Sequence, residues 1–353
     1  MTGRRARAIG SGAGSAPAGR SLLRPKALRP GDMIAIVSPS AGLAGRFPDR
    51  TERGIAALRA LGYRTRTMPH ALAARSWVSA SVAERVADLE TAFEDPRIDA
   101  ILATIGGNHS AQLLAGLDME LIRANPKVFC GYSDISSVLN GIHVATGLVT
   151  FYGPALLPQF GEFPRPLDAT VDHFREAVGQ PRPLGRLPEL TTMVDEFVDW
   201  GQDAGRPRRV GSTEGRHLLR AGSARGPLVC SCLPTLRQLI GTPWEPDFTD
   251  AILVLDLPSD QYRTSDADAD LWHLRNAGVL DEVAGVVVGR VPRWSEAAGA
   301  ELDRVINEVC ANFDFPVISH FECGHADPCL TIPLGCQAGL RDAELAVLES
   351  GVC

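Results

Sequence analysis

The chain has 353 residues, of which 45% are hydrophobic and 22% are charged, a composition typical of globular proteins. This length exceeds what one hydrophobic core usually accommodates, so we expect two domains. The net charge of −7 argues against a nucleic-acid partner, which requires a basic surface, and no apolar run reaches the roughly 20 residues of a membrane-spanning helix.

The first 20 residues combine Gly, Ala, Ser and Arg and lack the apolar stretch of a secretory signal. We predict a disordered tail over residues 1–20. The chain contains eight cysteines, which without a signal peptide indicate a reducing, cytoplasmic environment rather than a disulfide framework. Cys230 and Cys232 lack the spacing of zinc ligands, and we interpret them as buried apolar thiols.

Strands and helices alternate after the tail. The predicted strands cover residues 33–37, 64–68, 100–105 and 127–130, and the predicted helices cover 51–61, 81–93, a segment from about 110, and 136–145. This alternation predicts an α/β, Rossmann-like N-terminal domain over residues 21–160, with a mostly parallel sheet covered on both faces.

Ser133 lies on a sharp turn between the apolar strand at 127–130 and the helix at 136–145. A serine between a strand and a helix matches the geometry of a nucleophile elbow, and Gly131 permits the tight turn that this geometry needs. The alternative is that Ser133 or Asp134 only caps the helix, since both residue types are preferred caps.

A second strand end, after residue 105, carries Gly106, Gly107 and Asn108. Ligands of open α/β sheets bind beyond the carboxyl ends of the strands, so we predict that Gly106 and Asn108 contact substrate. Backbone N–H groups at the glycine pair and at Asp134 are candidates for an oxyanion hole beside Ser133. A tight strand-to-helix turn without a catalytic role is the simpler alternative.

Residues 161–215 are rich in Pro, Gly and charged residues, and we interpret them as a connector that contributes a substrate wall. Trp200 in this segment is a candidate for stacking on a planar ligand. Ordinary packing of a half-exposed tryptophan is the alternative.

Residues 216–353 predict a mixed, β-rich C-terminal domain. The predicted strands cover 227–230, 251–255, 283–289, 316–319, 329–332 and 344–348, and the predicted helices cover 233–240, 270–277 and 301–312. Asp256 ends one strand, and His325 stands in a loop bounded by Gly and Pro. The order Ser133, Asp256, His325 is one of those found in serine triads, although order alone does not define a triad.

Five segments carry a resemblance to a known family. They are GDMIAIVSPS (31–40), DPRIDAILATIGGNHSAQLL (95–114), GYSDIS with GLVTFYGP (131–154), AILVLDL (251–257) and FECGHADPCLTIPLG (321–335). With them the chain resembles the LD-carboxypeptidase family of serine peptidases, and most closely its microcin C immunity branch.

The resemblance implies a Ser-Glu-His triad split between the two domains. Ser133 matches the nucleophile and His325 the base, and the oxyanion donors match the backbone of Gly107 and Asp134. Asp256 stands where the family has glutamate, which is one methylene longer. The nearby acids Glu322 and Asp260 are the alternatives for this role. We expect Asp256 and His325 to lie within hydrogen-bond reach, about 2.6 to 3.2 Å.

The resemblance favours a cytoplasmic serine hydrolase that cleaves an amide or acyl bond of a peptidyl- or aminoacyl-nucleotide antibiotic. The connector around Trp200 resembles the part of the immunity branch that stacks on the nucleobase. One alternative is a carboxypeptidase that trims murein tetrapeptides, and another is a non-hydrolytic or repurposed member of the fold. We expect a small-molecule or peptide substrate, no nucleic-acid polymer or membrane partner, no metal or cofactor, and a homodimer.

Overall fold

The structure is a computed structural model that describes residues 21–202, 205–258 and 261–353. The predicted tail at 1–20 lies outside these residues. The strands of the N-terminal half are β1 Met33–Val37, β2 Arg64–Thr67, β3 Ala100–Ala103, β4 Val128–Gly131 and β5 Phe151–Tyr152. Its helices are α1 Leu43–Arg46, α2 Pro48–Ala60, α3 Val82–Glu94, α4 Met119–Ala124 and α5 Ser136–Thr146.

The remaining described residues begin with helix α6 Asp168–Gly179, followed by the short strands β6 Gly185–Arg186, β7 Thr192–Val194 and β8 Val210–Ser212. The later strands are β9 His217–Arg220, β10 Ser223–Cys232, β11 Ile252–Asp256, β12 Gly285–Gly289, β13 Val317–Phe321, β14 Ile332–Pro333, β15 Gln337–Arg341 and β16 Glu344–Val347. The later helices are α7 Leu233–Leu239, α8 Thr264–Asn276 and α9 Glu296–Val309.

The first sheet has the strand order β14-β5-β4-β3-β1-β2 within the described residues. Strands β1 to β5 are parallel, and β14 joins β5 in the antiparallel sense. Every residue of β3 and β4 is buried, as expected for central strands covered on both faces. The carboxyl ends of these two neighbouring strands therefore bring the glycine pair and Ser133 to one edge of the sheet.

The second sheet has the order β6-β16-β15-β10-β11-β12-β13-β9 among the described strands. Its centre, β10 to β13, is parallel, and antiparallel strands flank it on both sides. The fold is thus a mixed α/β architecture with one parallel-rich sheet and one larger mixed sheet, as predicted. In the register of β10 and β11, Cys232 pairs with Asp256.

The two sheets share one hydrophobic core, which includes Phe129 and Phe151 from the first sheet and Val254 and Ile318 from the second. Polar contacts also join the halves, because the Asn140 side chain of α5 donates a 3.0 Å hydrogen bond to the carbonyl of Cys230. Helix α5 therefore lies against the carboxyl-terminal part of β10.

Three helices differ from the predictions, and one of them, α9, begins five positions earlier than predicted, at Glu296 rather than residue 301. The predicted helix from residue 110 is a 3-10 turn, Ser110–Leu113, followed by a separate helix α4. Asp118 starts α4 as its N-cap, since its carboxylate accepts from the N–H groups of Glu120 and Leu121. Helix α8 begins six positions earlier than predicted, at Thr264 rather than residue 270, because its first turn is polar and lacks an apolar period.

Helix α3 begins with a capping box. The Ser81 N–H donates to the Glu84 carboxylate at 2.9 Å, and the Ser81 hydroxyl accepts from the Glu84 N–H at 3.3 Å. Within the described ranges, no helix combines the length and the apolar character needed to cross a bilayer.

Candidate active site

Ser133 occupies a strained turn at the carboxyl end of β4. Its φ is +61°, in the left-handed region that residues other than glycine rarely adopt. A short 3-10 turn, Ser133–Ile135, then leads directly into α5. Strain of this kind concentrates at functional sites, and a serine on a strand-to-helix elbow has its hydroxyl presented above the sheet edge.

Gly106 lies in direct contact with this serine. A Cβ atom at residue 106 would lie 2.8 Å from the Ser133 Cβ and 3.0 Å from its Oγ. No larger residue fits without moving the serine, so the glycine is required by close approach. The neighbouring Gly107 has a φ of +151°, which also favours glycine.

The Asp134 carboxylate fixes the loop that carries these glycines. Its Oδ2 accepts hydrogen bonds from the Ser40 hydroxyl at 2.5 Å and from the backbone N–H groups of His109 and Ser110 at 2.9 and 2.8 Å. The side chain thus holds the 106–110 loop against the Ser133 turn. Its carboxylate has a structural function, which is separate from the oxyanion role predicted for its backbone N–H.

The buried Asp256, at the end of β11, pairs with His325, whose side chain is partly exposed. The imidazole Nδ1 lies 2.7 Å from Asp256 Oδ2, within the predicted range, and the backbone N–H of His325 donates to Oδ1 at 3.1 Å. The carboxylate accepts only, so Nδ1 carries the proton and Nε2 is the acceptor nitrogen of the neutral ring. Asp256 is fully buried, which makes these bonds necessary to offset desolvation.

Tyr152 links the serine turn to this pair, and the sequence analysis did not identify it. Its hydroxyl donates to Asp256 Oδ2 at 2.6 Å and accepts from the backbone N–H of Ser133 at 3.0 Å. Burial, followed by the charge of Asp256, raises the pKa of the Tyr152 phenol well above its ordinary value. The feature that could have indicated Tyr152 is its position at the carboxyl end of β5, the strand that pairs with β4.

The alternative acid Glu322 does not contact the imidazole. Its carboxylate pairs with the Arg216 Nε at 2.8 Å and with Arg290 at 3.6 Å, and it accepts from the Leu190 N–H. Of the acids that the structure describes, Asp256 is therefore the one that contacts the His325 imidazole. The other alternative, Asp260, lies outside the described residues.

Cys232 is a second residue that sequence reasoning did not place at the site. Its thiol contacts the hydroxyls of Ser133 and Thr235, and burial followed by the nearby Asp256 charge raises its pKa well above the ordinary thiol value. The same causes, in the same order, raise the pKa of Cys230. Both cysteines are therefore protonated thiols at neutral pH, which agrees with their interpretation as buried apolar residues.

A cavity of about 510 Å³ is lined by most of the predicted site residues, although not by Asp134 or the buried Asp256. Its walls include Ser133, His325, the predicted oxyanion residue Gly107, and the predicted substrate residues Gly106, Asn108 and Trp200. The Arg50 guanidinium lies 4.4 Å from the centre of the Trp200 ring, so one face of the indole is already covered. Tyr132 packs edge-on against the His325 ring at 5.0 Å and restricts its orientation.

The far wall of the cavity contains an ion-pair network. Arg208 contacts the Glu162 carboxylate at 2.5 Å and the Asp327 carboxylate at 2.6 Å. Gln159 donates to the other Asp327 oxygen at 3.0 Å. These contacts fix the loop just after His325 against the segment that carries Trp200.

Comparisons with known proteins give a consistent result. Two family profiles match the chain, the LD-carboxypeptidase N-terminal domain over residues 34–153 and the LD-carboxypeptidase C-terminal domain over residues 225–340. The Escherichia coli microcin C7 self-immunity protein MccF is 30% identical over 88% of this chain and 90% of its own length. The murein tetrapeptide carboxypeptidase of Pseudomonas aeruginosa is 27% identical over 88% of this chain and 94% of its own length. A solved structure of MccF in complex with aspartyl sulfamoyl adenosine has a TM-score of 0.87 and 28% identity, and it covers 94% of this chain and 100% of that one.

Proposed function

The chain belongs to the LD-carboxypeptidase family and is a serine peptidase-type hydrolase, and from this premise we propose that Ser133, His325 and Asp256 form its catalytic triad. The observation that carries the proposal is the 2.7 Å contact between Asp256 and His325, at the wall of a cavity that Ser133 also lines. In this proposal the nucleophile Ser133, the base His325 and the orienting acid Asp256 belong to three separate segments of the chain.

The proposed reaction begins with proton transfer from the Ser133 hydroxyl to Nε2 of His325. The serine oxygen attacks the substrate carbonyl, and the backbone N–H groups of Gly107 and Asp134 stabilise the resulting oxyanion. The imidazolium then protonates the leaving group, and the acyl-serine forms. A water molecule, deprotonated by His325, attacks the acyl group and releases the acid and Ser133.

Asp256 acts on the imidazole in this scheme and does not itself exchange a proton. Its bond to Nδ1 selects the tautomer that leaves Nε2 as the base, and its charge stabilises the imidazolium. Tyr152 shares the carboxylate and also binds the N–H of Ser133. We therefore assign Tyr152 as a positioning residue that ties the nucleophile turn to the acid.

For the substrate we propose an aminoacyl- or peptidyl-nucleotide antibiotic, which the enzyme detoxifies in the cytoplasm. The similarity to MccF, solved with aspartyl sulfamoyl adenosine, and the position of Trp200 on the cavity wall support this class. Cleavage of a murein tetrapeptide is the second candidate, because one relative is named a murein tetrapeptide carboxypeptidase and the matching family profile is named for LD-carboxypeptidases. We further propose a homodimer, with a nucleophile domain at 21–160, a connector at 161–215 and an acid- and histidine-bearing domain at 216–353.

Two experiments test the proposal in order. A fluorophosphonate probe should label the wild-type protein and not a folded Ser133→Ala variant, since the probe reports an activated serine. Hydrolysis of aspartyl sulfamoyl adenosine and of a murein tetrapeptide should then be compared, with Ser133→Ala as the inactive control. Labelling without hydrolysis of either compound would reject both substrate classes, and hydrolysis by the Ser133→Ala protein would reject the mechanism.

A further inference from the structure

A cluster of metal-ligating side chains lies outside the candidate active site. It contains His217 of β9, Asp303 of α9 and His320 of β13, and one ligand atom from each lies within 4.8 Å of the others. The cluster shares no residue with the proposed triad. It borders a separate cavity of about 400 Å³, so an ion and a water molecule can enter it.

One oxygen of Asp303 lies close to both histidine rings of the cluster. Its Oδ2 lies 2.7 Å from His217 Nδ1 and 3.7 Å from His320 Nε2. The two imidazole rings are stacked, with centroids 3.9 Å apart and planes inclined by 27°. Ligand atoms bound to one tetrahedral zinc ion at about 2.0 to 2.1 Å are separated by roughly 3.3 Å. The three ligand atoms already lie within 4.8 Å of one another, so side-chain shifts of about an ångström or less would give the separations of a bound site.

The surroundings of the cluster resemble the outer contacts of metal sites. Ser319 donates to the second Asp303 oxygen at 2.6 Å, which orients the carboxylate. The Glu214 carboxylate lies 4.0 Å from the outward nitrogen of His217, on the side where metal-bound histidines usually meet a carboxylate or carbonyl. The same carboxylates add negative charge, which favours a cation.

His320 has two features that its position in a strand does not explain. Its φ is +59°, and its Nε2 is buried without a hydrogen-bond partner among the described residues. The register between β12 and β13 shifts at this point, with Val287 opposite Ile318 and Gly289 opposite Phe321. Such a bulge re-aims a side chain, and here the unpartnered nitrogen faces the Asp303 carboxylate.

We propose that His217, Asp303 and His320 bind a divalent transition-metal ion, and that zinc fits the site best. Two imidazole nitrogens and one carboxylate oxygen form a ligand set that zinc prefers, with a water molecule in the fourth position toward the cavity. The ion would join the edge strand β9 to α9 and to β13. The site shares no ligand with the proposed triad, so ion binding and hydrolysis can be tested separately.

The test uses the tag-free, full-length protein after treatment with a chelator. Zinc titrated by calorimetry should bind in one equivalent and raise the melting temperature, because the ion binds the folded state. Cobalt, as a spectroscopic substitute, should give visible absorption without a thiolate charge-transfer band. Asp303→Asn and His320→Ala should each weaken zinc binding by at least about 100-fold, a loss at the upper end of that seen when outer contacts alone are removed.

Two control variants separate this site from other places where zinc could bind. His70 also pairs with a carboxylate, that of Asp88 at 2.9 Å, but it is in neither of the two clusters found among the described residues, so His70→Ala should bind zinc as the wild type does. Cys232, Asp256 and His325 form the second such cluster, and Cys232→Ser tests it. Circular dichroism checks the fold of each variant.

Three results would overturn the proposal. The first is the absence of binding to the wild-type protein up to about 100 µM free zinc, where a site of functional affinity would be saturated. The second is unchanged affinity in folded Asp303→Asn and His320→Ala. The third is a cobalt thiolate band together with loss of binding in Cys232→Ser, which would assign the ion to the candidate active site.

Discussion

At the scale of single residues, the Asp256 carboxylate holds three groups at once. Tyr152 and the His325 ring bind its Oδ2, and the His325 backbone binds its Oδ1. The backbone of Gly324 packs against the same carboxylate, because a Cβ added there would lie 2.1 Å from its carbon atom. A pocket this close to the aspartate has little room for the longer glutamate of the family.

We predict that Asp256→Asn reduces turnover by up to about 10⁴-fold while the fold remains intact, as the same change does in a serine-protease triad. The amide can donate to Nδ1, which favours the tautomer with the proton on Nε2 and removes the base. Turnover is measured on whichever of the two substrates is cleaved, and circular dichroism provides the control for folding. Near-normal turnover would show that another acid orients His325.

Asp256→Glu tests whether the site is adapted to aspartate. We predict a fall in turnover of about 100-fold, because the added methylene would displace the imidazole by about 1 Å. Fluorophosphonate labelling should slow in parallel, since both measurements depend on the same base. A rate increase would instead identify a slow, repurposed enzyme in which the acid has drifted from the family residue.

The residues of the site differ in how far the sequence could predict them. Ser133 and Asp256 each follow a short apolar run, so the hydrophobic pattern alone indicates a strand-end position for both. Tyr152 and Cys232 join the site through strand pairing with residues about 21 and 24 positions away, Gly131 and Asp256. Hydrophobic pattern does not reveal such pairing, so neither residue could be identified from it.

At the scale of elements, the loop from β13 to His325 depends on one glycine. Gly324 has a φ of +60°, and its missing side chain leaves the space that the Asp256 carboxylate fills. The loop can therefore bring its backbone N–H and imidazole to one carboxylate only if residue 324 has no Cβ atom. The positive φ of Gly324 is thus needed for the contact between His325 and Asp256 on which the proposed triad depends.

We predict that Gly324→Ala lowers turnover by at least about 100-fold, because it separates His325 from Asp256. Gly241→Ala is the matched control: residue 241 also has a positive φ, +79°, but an added Cβ meets no atom within 4 Å. The control should lose roughly 1 to 2 kcal/mol of stability from backbone strain and retain its activity. Equal turnover in the two variants would show that strain alone, and not contact with the carboxylate, matters at residue 324.

The strands and helices were predicted correctly where one or both of their faces are buried. β4 and β11 appear in the sequence as apolar runs, and both are fully buried strands. Helix α8 was predicted too short because its first turn, from Thr264, is held by polar contacts such as the Arg263 N–H to the Asp266 carboxylate. A helical turn stabilised by polar side chains has no periodic apolar residues, so the hydrophobic pattern of the sequence does not indicate it.

At the scale of the whole molecule, α6 joins the segment after the candidate active site to the first half of the chain. The Thr170 hydroxyl accepts from the N–H of Cys329, and the His173 Nδ1 accepts from the N–H of Thr331, both at 3.0 Å. Thr331 precedes β14, which pairs with β5 of the first sheet. The stability of this junction therefore depends on His173 remaining neutral.

Burial lowers the pKa of His173 from 6.5 to about 4. Below pH 6.5 the unfolded chain binds a proton at this residue that the folded chain excludes, so acid favours unfolding. The contribution to stability is complete above pH 6.5 and is lost progressively as the pH falls to about 4, by about 3 kcal/mol in total. We predict this decline in the free energy of unfolding, measured by urea denaturation between pH 7 and pH 4.

His173→Asn isolates the effect, because the amide oxygen can accept from the Thr331 N–H but does not titrate. The variant should lose less stability than the wild type over the same pH range, by up to the same ~3 kcal/mol. Some decline should remain, since burial and then the charge of His217 lower the pKa of His320 to about 4 in the same direction. If the free energy of unfolding falls with pH equally in the wild type and in His173→Asn, then His173 binds a proton equally in the folded and unfolded states. The stability of the junction would then not depend on the charge of His173.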